Sequence, residues 1–97
     1  MQLTGKQRAH LRSLAHPLAC IVHVGKGGVI DTLIKQAEDA LTARELIKGR
    51  VQEMAPLSAR EAAEAIAEAT HADVVQVMGR TFVLYRPGKE PQITLPR

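Results

Sequence analysis

The 97-residue sequence has no tryptophan, one phenylalanine, one tyrosine and one cysteine. The lone Cys20 excludes an intramolecular disulfide and any zinc site built on several cysteines, and it suits a reducing compartment. Phe82 and Tyr85 are too few rings for a sheet that stacks several bases on aromatic side chains. The core therefore has to come from Ile, Leu, Val and many Ala. No stretch approaches the ~20 apolar residues of a membrane span. The segment from Met1 to Arg12 is polar and basic, without the apolar centre of a secretory signal. The expectation is a cytoplasmic protein with no membrane partner.

The length fits one domain, since domains typically run ~100–150 residues. Net charge is only +3, but its distribution is uneven. Over residues 1–36, Lys6, Arg8, Arg12, Lys26 and Lys35 face Asp31 alone. Over residues 53–73 the balance reverses, with Glu53, Glu61, Glu64, Glu68 and Asp73 against Arg60. Beyond that, Arg80, Arg86, Lys89 and Arg97 outnumber Glu90. Charges sorted in this way predict one basic face and one acidic face.

Thr4 is a good N-cap for a first helix, which Pro17 stops near His16. Cys20–Val24 is short and β-branched, and Pro17 and Gly25 bound it, so it reads as a strand. Ile30, Leu33, Ile34, Ala37 and Leu41 recur at helical spacing within a second helix over 29–43. A second strand is expected over 45–51, with Leu46 and its neighbours alternating against Lys48 and Arg50. Ser58 and Glu61 form a capping box for a third helix that ends near Thr70 or His71. Asp73–Met78 and Thr81–Arg86 read as strands joined by Gly79-Arg80, a two-residue hairpin signal. The tail from Pro87 holds three prolines and little apolar content and reads as an extended or loosely ordered arm. The resulting class is α/β, ordered α-β-α-β-α-β-β, with a four-stranded mixed sheet.

Between the first strand and the second helix stands Gly25-Lys26-Gly27-Gly28. Glycine lets the backbone take positive φ and approach a phosphate closely. The helix that follows offers unpaired N–H groups and the positive end of its dipole. Lys26 adds a mobile cation. A G-x-x-G turn entering a helix is the device by which KH domains clamp a single-stranded backbone. A plain tight turn is the competing reading. Lys6, Arg8, Arg12 and Lys35 lie near the loop in sequence and are the candidate supporting contacts.

Other chemistries find little support. The loop is not a P-loop, because its lysine precedes two glycines and no Ser or Thr follows to hold magnesium. It is not a dinucleotide fingerprint either, since Ile30 stands where a third glycine is needed. Cys20 beside Ile21 reads as a core residue rather than a nucleophile. His10, His16, His23 and His71 show no metal-ligand spacing, and His23 points outward beside the loop. Glu61, Glu64 and Glu68 share one helix face, which most simply is a solvated surface. The expectation is a non-enzymatic protein with no metal and no cofactor.

Four separated segments, LTGKQRAHLRSLAH, IVHVGKGG, ARELIKGRV and VVQVMGRTFVLYRP, resemble the YhbY family of stand-alone bacterial CRM (chloroplast RNA splicing and ribosome maturation) domains. The resemblance runs from Leu3 to about Pro87. It implies a CRM-type RNA-binding domain over 1–86, followed by the extended tail at 87–97. The implied fold is similar to the C-terminal domain of translation initiation factor 3, with the G-x-x-G loop as the RNA contact. It also implies association with ribosomal RNA in precursors of the large subunit; the protein itself is expected to be a monomer. The sequence departs from the family pattern at three places. Gly27 replaces a polar residue, Cys20 stands at a position often held by proline, and His71 replaces a glycine after the third helix.

Two functions of different class follow. The first is an RNA-binding ribosome assembly factor, recognising backbone and shape more than bases. The second is a protein–protein adaptor whose acidic third helix docks a basic ribosomal protein.

Overall fold

The computed structural model describes residues 3–97, and Met1 and Gln2 lie outside the described residues. The chain runs α1 (Gly5–Ala15), β1 (Val22–Val24), α2 (Asp31–Arg44), β2 (Leu46–Val51), α3 (Ala59–Thr70), β3 (Asp73–Met78) and β4 (Thr81–Tyr85). The strands form one four-stranded sheet in the order β1-β2-β4-β3. β1 pairs parallel with β2, and β4 pairs antiparallel with both β2 and β3. The expected mixed α/β architecture is the one found.

Local chemistry accounts for most element boundaries. Thr4 caps α1 and Ser58 caps α3, each through a reciprocal capping box. β1 is shorter than expected because Leu18 N–H turns back to the Ala15 carbonyl. The chain then reaches register with β2 only at Ile21, whose N–H donates to the Lys48 carbonyl at 2.9 Å. Cys20 accordingly lies before β1 and is half-buried rather than a core residue. α2 starts two residues late because Gly28 takes φ +74 and Ile30 is still extended. His71 ends α3 in the left-handed conformation, φ 59, so the histidine makes the turn its glycine counterpart would make.

Side-chain alternation splits the core between the two faces of the sheet. Phe82 and Leu84 join Ile47, Val51 and Val24 under α2 and α3, with Leu33, Ala37, Leu41, Ala63 and Ile66. Val83 and Tyr85 point the other way and pack with Leu46, Val75, Leu11 and Ala15 under α1. The fold thus has three layers, with α1 on one side of the sheet and α2 and α3 on the other.

β3 breaks the alternation. Val74 is opposite Leu84 and Gln76 is opposite Val83, so Val75 is an extra residue, a β-bulge. Val75 and Gln76 consequently both face the α1 side, Val75 in the core and Gln76 in the groove beside it.

The tail is extended but not loose. Glu45, at the end of α2, is 3 % exposed and has φ 66. Its carboxylate accepts N–H bonds from Gly88 (2.5 Å), Gln92 (2.8 Å) and Ile93 (3.0 Å). Gln7 Nε2 donates to the Pro96 carbonyl at 3.1 Å, and Ile93 and Leu95 pack against the α1-side core. Of the two expectations, an extended or a loosely ordered arm, the extended one matches, because a single buried carboxylate anchors the segment through its backbone.

Candidate nucleic-acid interface

The loop after β1 is held at both ends. Gln52 N–H donates to the Val24 carbonyl at 2.8 Å, and Gly28 N–H donates to the Gly25 carbonyl at 3.0 Å. The two central positions, Lys26 and Gly27, are exposed. Gly28 is fixed as glycine twice over: it has φ +74, and a Cβ there would stand 3.3 Å from Pro56 Cγ. Gly27 has no such need, since its φ is not positive and a Cβ would meet only Ile30 Cγ2 at 4.0 Å.

α2 begins without a side-chain cap, because Ile30 at the N-cap has no acceptor. Its first-turn amides are therefore left for water or a ligand oxygen. A shallow cavity of about 270 Å³, lined among others by His23, Gly25, Gly27, Gly28 and Thr32, opens at this point. Asp31 in the first turn offsets part of the helix dipole. Attraction for an anion accordingly rests on Lys26 and on the amides themselves.

The remaining sequence-derived candidates are divided between α1 and α2, on opposite faces of the sheet. Lys6 and Arg12 are exposed on α1. Arg8 turns inward, and its guanidinium donates to the Val74 carbonyl of β3. Lys35 lies on α2, across the sheet from α1, and its Nζ is 2.7 Å from Asp39 Oδ1. The hydrogen bond to Asp39 raises the Lys35 pKa. Arg86 is also engaged, with one guanidinium nitrogen 2.5 Å from Glu38 Oε2 and another donating to Thr42 Oγ1 at 2.8 Å.

The sheet supplies cations that sequence reading noted but could not place. His23, Arg50 and Thr81 occupy one row across β1, β2 and β4, on the α1 side, beyond the end of the helix. His23 and Arg50 are exposed. Arg80, in the hairpin, is exposed at the same end, and its carbonyl accepts Val51 N–H at 2.8 Å. Two residues back along β2 from Arg50, Lys48 lines a groove between α1 and the sheet with Arg12 and His16. The alternation of Lys48 and Arg50 was visible in the sequence, but which face they shared with His23 depended on register.

The acidic residues lie on the opposite side. Glu61, Glu64 and Glu68 are exposed on α3. Glu61 is held below the usual carboxylate pKa by the Ser58 backbone N–H. Among the described residues, no three His, Cys, Asp or Glu side chains group as a metal site. The arrangement offers a basic surface with open amides at one end, suited to binding an extended polyanion.

The comparisons with known proteins agree with this reading of the fold. The solution structure of the hypothetical protein SAV1595 from Staphylococcus aureus, described as a candidate RNA-binding protein, superposes with a TM-score of 0.81 at 45 % identity, covering 98 % of this chain and all of that one. The "Probable RNA-binding protein YqeI" of Bacillus subtilis is 50 % identical over 97 % of this chain and 99 % of that protein. An "RNA-binding protein" of Haemophilus influenzae is 38 % identical over 98 % of this chain and 96 % of its own length. The model of the CRS1 / YhbY (CRM) domain matches residues 3–86, from just before α1 to just past β4. With that match spanning every helix and strand described above, the chain belongs to the CRS1/YhbY (CRM) domain family.

Proposed function

We propose that this protein binds RNA, holding the phosphodiester backbone at the Gly25–Gly28 loop, and that its target is ribosomal RNA in precursors of the large subunit. The observation that carries this reading is the exposed Lys26 beside a helix start with no side-chain cap. Family relatives named as RNA-binding proteins support the RNA part of it. The protein acts as a monomeric cytoplasmic assembly factor rather than as an enzyme. Phosphate contacts release counterions, so affinity falls with salt. A gel-shift titration of Lys26→Glu on large-subunit ribosomal RNA fragments tests the loop. Binding weakened about tenfold or more is expected, and unchanged affinity removes the loop as the contact.

A second reading rests on the exposed acidic face of α3, where Glu61, Glu64 and Glu68 would dock a basic ribosomal protein. Reversing these three charges while the loop stays intact separates the readings. If that variant alone leaves the pre-ribosomal particle in co-sedimentation, the adaptor role is the correct one.

A further inference from the structure

The groove between α1 and the sheet differs in character from the loop. It encloses about 460 Å³, and its lining includes Arg12, His16, Lys48, Gln76, Met78 and Thr81. The cations lie toward α1 and β2, whereas the amide, thioether and hydroxyl come from β3 and β4. A phosphate track needs only the cations. The other three groups are suited to a nucleobase: an amide that can pair with a base edge, and an apolar thioether against which a base face can lie.

Gln76 reaches this groove only because of the bulge at Val75. In a regular β3, Val75 facing the α1-side core would send Gln76 to the opposite face, among the apolar side chains under α3. The extra residue places Val75 and Gln76 on the same side. Bulges that re-aim a side chain concentrate beside functional sites. Met78 lines the same groove and is 63 % exposed, so its thioether is accessible to a ligand seated there.

We infer that this groove is a base-reading subsite for one unpaired nucleobase of single-stranded RNA, adenine being the best match. The Gln76 amide pairs with the adenine edge as donor and acceptor, the Met78 thioether lies against the ring, and Arg12 and Lys48 hold the flanking phosphates. The inference rests on the RNA-binding reading above and adds to it a contact that depends on sequence. The row Thr81, Arg50, His23 connects the groove to the Gly25–Gly28 loop across two strand spacings, about 10 Å. One strand of RNA can therefore occupy both places.

The test uses the full chain at low salt and fluorescein-labelled RNA heptamers, one of seven uridines and one with a central adenosine. Fluorescence anisotropy should show the adenosine heptamer bound about fivefold or more tightly by the wild type, the low end for a bidentate base contact. Gln76→Ala should bring the two affinities together. Lys26→Glu, a backbone contact, should weaken both equally and keep their ratio. Equal wild-type affinities, or a preference that survives in Gln76→Ala, would overturn the base-reading role while leaving RNA binding intact. Failure of the wild type to bind either heptamer or the ribosomal RNA fragments would overturn the RNA reading and this inference with it. Circular dichroism and thermal unfolding of Gln76→Ala confirm that the compared proteins are equally folded.

Discussion

The Phe82 ring occupies the space where a side chain of Gly49 would stand. The two residues are cross-strand partners in β2 and β4, and a Cβ on Gly49 would fall 2.3 Å from Phe82 Cζ. The sequence's only phenylalanine thus packs against bare backbone under α2 and α3. Gly49→Ala should cost about 1–3 kcal/mol through overpacking. Gly5→Ala is the control, because Gly5 lies in the first turn of α1 with nothing within 4 Å of its Cβ position. That change should instead gain roughly 0.5–1 kcal/mol. Urea unfolding of both variants checks the pair.

The loop glycines should separate in the same assay. Gly28→Ala forces a Cβ onto a positive φ and toward Pro56, at a cost of about 1–3 kcal/mol. Gly27→Ala should stabilise by about 0.4–1 kcal/mol, through the unfolded chain's lost freedom. If Gly27 must rearrange to hold RNA, its alanine variant will gain stability and lose affinity together.

Glu45 should give the fold a pH-dependent latch. Burial pushes its pKa up, but the N–H bonds from Gly88, Ile93 and Gln92 outweigh that and hold it below the usual value. A carboxylate with a depressed folded pKa contributes stability above its unfolded pKa, and that contribution disappears as pH falls through the folded one. Glu45→Gln should cost about 1.5–3 kcal/mol at pH 7, the range for hydrogen bonds to a charged group. The gap between wild type and variant should close on acidification below the ordinary glutamate range. Hydrogen exchange at the Gly88, Gln92 and Ile93 amides would show whether the tail releases before the domain unfolds.

Arg8 and Arg12 share a helix but should behave differently. Arg8→Ala removes the donor to the Val74 carbonyl and should lower stability by about 1 kcal/mol or more. Arg12→Ala, on the exposed side, should leave the unfolding midpoint within about 0.5 kcal/mol and weaken RNA binding. Parallel unfolding and anisotropy titrations distinguish the two.

Local chemistry made much of this fold legible. The Thr4 and Ser58 caps, the Gly79 turn and the helical spacing in α2 are short-range signals, and each of these elements formed, α2 with its start displaced by two residues. What escaped required long-range partners. Arg8 could not be told from Arg12 without knowing that Val74 passes beneath it. The Val75 bulge has no glycine or proline to mark it. The Glu45 clamp joins residues more than forty positions apart. The loop itself was legible as a motif, whereas the row His23, Arg50, Thr81 depended on strand register.

The separation of charge between the two outer layers also bears on how the protein meets its target. A net charge of +3 attracts a polyanion only weakly. With Glu61, Glu64 and Glu68 on one side and Arg12, Lys48 and Arg50 toward the other, however, the molecule carries a permanent electric moment across the sheet. The field of an approaching nucleic acid would turn such a body before contact, so that collisions begin with the groove and loop leading. Productive encounters are then selected by torque rather than by total charge, and neutralising α3 should slow association without altering a single contact in the final complex.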